Sequence, residues 1–229
     1  MPDWRFAWKY NTQELLASDQ KAQSFLDDYL RNEAEFFARA RDPKSGLSFD
    51  GIDLDPKTGE MKGVRGWSAA SKECLDLGLC VKALYGDPVM ARVVSPKDPE
   101  KAPQIAAEIL ARKIESYKKF QEEYPGFAGY VTWFDSGDSI TPTGDWKKAI
   151  PTLDLGEMLW SLLLAEKALR DTGHDDLARA FKTYNDDLQA KAKEAMFEPI
   201  SGGIRGHVEI ENPKDPDSKF SGLGIMTGE

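Results

Sequence analysis

Two cysteines and two histidines in 229 residues leave little from which to build a transition-metal site. Cys74 and Cys80 fall in one predicted helix, on opposed sides and separated by about 9 Å of helical rise. That separation excludes a disulfide between them. They read as small core residues and say little about redox compartment. His174 and His207 stand far apart in polar surroundings, and neither HExxH nor CxxC spacing occurs. Asp53 to Glu60 resembles a calcium loop only superficially. Its glycine comes one position late and lysine occupies the third ligand position, so it reads as a plain turn. Neither a metal nor a cofactor is expected.

Long apolar runs are also missing, so no membrane-spanning helix is expected. The opening residues Met1-Pro2-Asp3-Trp4-Arg5 do not form a secretory leader. That suits a cytoplasmic protein, or a secreted one whose N-terminus is absent from this sequence. Positive charge is in deficit: 30 Lys and Arg against 39 Asp and Glu give a net charge of −9. With no basic stripe to override that field, nucleic acid and anionic membranes are poor partners, whereas a neutral sugar is indifferent to it. What is present suits a soluble globular chain. Its residues are 41% hydrophobic and 30% charged, with mean hydropathy −0.52, enough for a sizeable core; length suits one domain or two small ones, and residues 1–229 are taken as one. Composition does not fix an oligomeric state.

Helical periodicity organises most of the chain. Leu16 to Arg41 carries a stripe through Phe25, Leu26, Tyr29, Leu30, Phe36 and Phe37, with Ser18 as N-cap. A glycine-rich stretch follows, and then a helix from about Ser68 to Tyr85, stopped by Gly86-Asp87-Pro88. Pro103 to Tyr124 is amphipathic, as an outer helix should be. Gly126 to Phe134 is aromatic and β-prone, and leads into a loop over 135–148. A helix then runs through Asp154 to Thr172-Gly173, and another amphipathic one covers about Asp175 to Phe197. Gly203 to Glu211 alternates like a hairpin strand, and the tail from Asn212 lacks periodicity. Five helices result, two of them apolar on most sides and followed by charged, outward-facing ones. Alternating inner and outer helices of this kind indicate an all-α toroid.

The stretch Pro151-Thr152-Leu153-Asp154-Leu155-Gly156-Glu157-Met158-Leu159-Trp160-Ser161-Leu162 is the most telling. Asp154, Glu157 and Ser161 fall within about 60° of one another on an otherwise oily helix. Carboxylates there are costly unless they face a polar cavity. The bland reading, a first-turn aspartate on the helix dipole behind a Thr152 N-cap, explains Asp154 but leaves Glu157 unexplained.

With Arg65-Gly66-Trp67-Ser68-Ala69-Ala70-Ser71-Lys72-Glu73, Gly129-Tyr130-Val131-Thr132-Trp133-Phe134 and Pro151 to Glu157 in this order, the chain resembles fungal-type endo-β-1,2-glucanases of the (α/α)6-barrel glycoside hydrolases. The resemblance implies six inner and six outer helices, on the order of 360 residues at about 30 per helix and loop. The chain is therefore expected to be an N-terminal part of such a barrel, with a small β-hairpin. It also implies an oligo- or polysaccharide substrate and, as general acid, a glutamate after the hairpin region. Glu229 is the carboxylate near that place.

The remaining candidates each carry two readings. Tyr130, Trp133 and Phe134 offer faces to sugar rings or plug the core; Asp135 and Asp138 accept sugar hydroxyls or serve the Ser136-Gly137 turn. Ser68, Lys72 and Asp76, with Arg65 and Trp67 at their mouth, line a cleft or form an ordinary helix start with an i,i+4 ion pair. Alternatives for the whole chain are another toroidal carbohydrate enzyme, such as a lyase, or a non-catalytic helical scaffold or barrel remnant.

Overall fold

Helices α1 (Thr12–Ala17) and α2 (Asp19–Arg39) divide at Ser18, whose hydroxyl accepts the backbone N–H of Lys21 at 3.4 Å. The N-cap is where the sequence places it, and α1 ahead of it is a helix that the sequence does not predict. The computed structural model describes residues 6–225. After α2, strands β1 (Gly51–Leu54) and β2 (Met61–Arg65) pair as an antiparallel hairpin. Strand β3 (Trp67–Ser68) leads directly into α3 (Ala70–Leu84). A short helix α4 (Pro88–Val94) then starts where the sequence predicts only a stop. Asp87 accepts the N–H groups of Val89 and Met90, and Pro88 occupies the first turn, where its missing N–H costs nothing.

Helix α5 (Ala102–Glu123) is followed by the two-residue strands β4 (Phe134–Asp135) and β5 (Thr141–Pro142), which join β3 in a small sheet. Strand β6 (Ala149–Pro151) enters α6 (Thr152–Asp171), and α7 (Asp175–Met196) returns behind it. Strands β7 (Phe197–Glu198), β8 (Gly203–Ile210) and β9 (Phe220–Ile225) close the described chain, with β8 bonded to β6, β7 and β9. The tail expected to be aperiodic thus supplies a strand. Its approach is close: the Gly126 N–H donates to the Pro213 carbonyl at 2.9 Å, and a Cβ on Gly126 would collide with the Asn212 carbonyl. Among the described residues there are seven α-helices rather than five.

The predicted alternation holds. Helices α3 and α6 pack on each other, α5 lies behind α3, and α7 lies behind α6. The core between them includes Leu77, Cys80, Leu110, Tyr117, Leu155, Met158, Leu162, Phe181 and Leu188. Both inner helices are entered from short strands. The hydroxyl of Thr152, expected to cap α6, instead donates to the carbonyls of Arg205 and Gly206 on β8, at 2.6 and 2.9 Å. Thr152 is thus the first helical residue and fastens α6 to the sheet.

The faces of α3 and α6 opposite this packing are open. Leu153, Trp160 and Leu164 are 60%, 72% and 52% exposed and follow one another at i, i+7 and i+11, one stripe of α6; Leu75 on α3 is 56% exposed. Such an apolar face is what an inner barrel helix shows before the opposing helices cover it. Residues 1–229 produced alone are therefore expected to bind a hydrophobic-surface dye, and Trp160→Glu with Leu164→Gln is expected to reduce that binding. A dye-free monomer melting in one sharp transition would contradict the open face.

Candidate functional site

Period-two alternation in the short sheet decides which aromatics face outward. Ser68 pairs with Phe134 and Trp67 with Asp135 across β3 and β4. Ser68 and Phe134 are fully buried, so their neighbours Trp67, Trp133 and Asp135 turn to the other side. There the indoles of Trp67 and Trp133 stack with centroids 5.2 Å apart and planes 16° apart. Trp146, from the turn before β6, stacks on Trp133 at 5.6 Å and 22°, and His207 of β8 lies 5.3 Å from Trp146. All four rings are half-buried. They form a column beside the starts of α3 and α6.

Charged groups flank this column. The ammonium of Lys72, on the first turn of α3, lies 4.6 Å from the Trp67 ring centroid and 5.5 Å from that of Trp133. It pairs with Asp50 at 3.3 Å, and Arg65 pairs with the same carboxylate at 3.0 Å. On α6, Asp154 accepts the Trp133 indole N–H through Oδ2 at 2.8 Å. Half-buried and with near-parallel neighbours at its faces, Trp133 is neither an open sugar platform nor a plug of the core, the two readings the sequence allows. It presents an edge, and its N–H is committed to a carboxylate. Glu157 lies on the exposed stripe of α6, between Leu153 and Trp160. It is close enough to Cys74 to add to the rise that burial imposes on that half-buried thiol.

The structure therefore brings together Arg65, Trp67, Lys72, Trp133, Asp135 and Asp154, with Glu157 further along the same helix. It separates the others. Tyr130 is fully buried, its hydroxyl donating to the Leu188 carbonyl at 2.5 Å, and Phe134 is in the core. Ser68 bonds Ser48 at 2.8 Å beneath the surface. Asp138 is exposed and pairs with Lys44 at 3.4 Å, beside a groove of about 550 Å³ along α5. Glu229 lies outside the described residues.

Asp76 does not line the cleft expected of it; it is buried. It belongs to a buried cluster in which Lys113 contacts Asp76 at 3.0 Å and Glu73 at 2.6 Å, while Arg41 engages both Asp76 oxygens. Glu73 also accepts the Tyr117 hydroxyl at 2.5 Å and both the N–H and hydroxyl of Ser48. Two carboxylates, an ammonium and a guanidinium make the cluster formally neutral. Burial alone would raise the Asp76 carboxyl, but the Lys113 and Arg41 charges hold it well below the usual carboxylate range. The cluster welds α3 to α5 and to the segment after α2.

Trp146 and His207 were missed by sequence reasoning because they sit in a turn and a strand remote from Trp133 along the chain. Lys113 carried a signal: with Ile109 and Tyr117 it forms an i, i+4, i+8 row on the apolar side of α5. No group of His, Cys, Asp and Glu among the described residues could hold a metal ion, and none of their helices is long and apolar enough to cross a membrane.

Comparison with known proteins gives one consistent family. A family model described as endo-beta-1,2-glucanase SGL matches residues 47–222. The fold is similar to a solved structure of endo-β-1,2-glucanase from Talaromyces funiculosus in complex with sophorose, with TM-score 0.86 and 33% identity. A glutamate-to-glutamine mutant of that enzyme with β-1,2-glucan matches equally well. Each match covers 99% of this chain and 47% of the other, so the chain spans about half the length of these solved relatives. None of the curated proteins matches.

Proposed function

Because the chain belongs to the endo-beta-1,2-glucanase SGL family, we propose that it supplies one wall of a cleft in which β-1,2-glucan is cleaved internally. The observation that carries this reading is the half-buried column Trp67–Trp133–Trp146–His207, with Asp154 and Lys72 fixed to it at the entry to both inner helices. Sugar recognition needs apolar surface for the C–H side of a ring beside ordered acceptors and donors for its hydroxyls. Trp67, Trp146 and His207 offer the first. Asp154 and Lys72 offer the second, with Arg65, Asp135 and Glu157 further out. The open stripe of α3 and α6 supports the same reading, since the rest of a barrel would close the cleft over it.

Glycoside hydrolysis also requires a proton donor at the leaving oxygen, and usually a second carboxylate to activate water or attack carbon. Among the described residues, the one carboxylate bonded to the column is Asp154, and its engagement by the indole suits binding better than proton transfer. Glu229 is proposed as the general acid, with the base-side group supplied by residues beyond this chain. The decisive assay measures reducing ends released by the full-length protein from β-1,2-, β-1,3- and β-1,4-glucans. Release from the β-1,2-linked polymer, with oligosaccharides of several lengths appearing early, is expected. Cleavage of another linkage alone, or of none, would overturn the reading.

A further inference from the structure

We infer that Trp133 is a positioning residue: its indole N–H fixes the Asp154 carboxylate so that the second oxygen is presented to one substrate hydroxyl. The inference rests on the glucanase reading for its substrate, but the contact itself stands on geometry. Asp154 sits in the first turn of α6, and its Oδ2 is held at 2.8 Å by Trp133. Its Oδ1 makes no hydrogen bond among the described residues, so one acceptor is spent on orientation and the other is free. A carboxylate on a two-torsion side chain would otherwise rotate, and a sugar hydroxyl would bear the cost of ordering it.

The donor cannot easily move either. Trp133 is flanked by near-parallel indoles from β3 and from the turn before β6. Lys72 lies over Trp67 and Trp133, and is itself held by Asp50 at 3.3 Å at the root of the β1–β2 hairpin. Three separate segments therefore define the ring plane, and the ring plane defines where its N–H points. The sequence shows nothing of this, since Trp133 and Asp154 are 21 residues apart. In this arrangement the indole is a tool for aiming a carboxylate rather than a surface for a sugar ring.

Trp133→Phe in the full-length protein keeps an aromatic ring in the column and removes the donor. It is expected to raise KM for β-1,2-glucan about 10-fold with kcat within about twofold, the pattern of a weakened hydrogen bond to a charged group that acts in binding. In an Asp154→Ala background the same change is expected to add nothing, because Trp133 acts through Asp154. An independent readout needs no substrate. The Trp133 indole N–H resonance, identified by its loss in Trp133→Phe, is expected to shift in Asp154→Ala. Additive losses in the double variant, or an indole signal indifferent to Asp154→Ala, would overturn the inference even in an active glucanase. A wild-type protein inactive on every glucan would instead remove the functional reading and leave the indole signal to decide the contact.

Discussion

Lys113→Ala is expected to destabilise the protein by about 3–5 kcal/mol, the loss typical of breaking a buried ion pair by removing one partner. Lys113 is fully buried and touches both Glu73 and Asp76. Truncating it strands two carboxylates against Arg41 alone. The cost comes from uncompensated buried charge, not from lost volume, and a paired substitution separates the two. Glu73→Gln with Lys113→Met removes one charge of each sign and leaves the Asp76–Arg41 pair balanced. The double variant should therefore be more stable than Lys113→Met by itself. Chemical denaturation of the four proteins measures this, and equal losses in Lys113→Met and in the double variant would refute the charge argument.

The same cluster sets a pH signature. Asp76 is depressed in the folded protein, so it contributes stability above its unfolded value of about 4 and loses that contribution as pH falls toward the folded value. Lys113 is shifted the other way: burial works against its charge, but Asp76 and Glu73 raise it. Its contribution is complete below its unfolded value of about 10.4 and is lost as pH rises through the folded one. The cluster is at full strength between those limits. The stability that Asp76 draws from Lys113 should accordingly fade as pH falls below about 4 toward the depressed folded value, and the deficit of Lys113→Ala should shrink with it.

Local signals read well from the sequence wherever one segment carried them. Ser18 caps α2, the stripe of α7 buries Phe181, Tyr184 and Leu188, and the alternation at Gly203 becomes β8. Asp154 and Trp133 were both singled out, but their relation was not legible. A carboxylate–indole bond is a tertiary fact, made by a strand edge and a helix start that the fold happens to align. Asp76 failed for the complementary reason. One helix shows its i,i+4 partner Lys72, but the partners it takes, Lys113 and Arg41, come from α5 and from the segment after α2. Glu157 lies between these cases. Its stripe was recognised as unusual, and the structure shows why: the surrounding leucines and Trp160 face open space.

Glu229→Gln and Asp154→Asn are expected to separate proton transfer from binding in the full-length protein. A general acid contributes only as the glycosidic bond breaks, so replacing its carboxyl by an isosteric amide removes stabilisation found only in the transition state. For Glu229→Gln, kcat/KM on β-1,2-glucan should fall about 10³-fold or more, carried by kcat. Asp154→Asn keeps an oxygen that can still accept the Trp133 indole N–H, but turns the free acceptor into an amide donor. A charge-assisted hydrogen bond worth about 1.5–3 kcal/mol then disappears, and kcat/KM should fall roughly 10- to 100-fold. Aryl β-glucosides with progressively better leaving groups sharpen the contrast. A leaving group that needs no protonation should rescue Glu229→Gln and leave Asp154→Asn impaired. If Glu229→Gln turns over like the wild type while Asp154→Asn loses 10³-fold or more, the roles are reversed, and Asp154 must be re-read as the proton donor despite its indole partner.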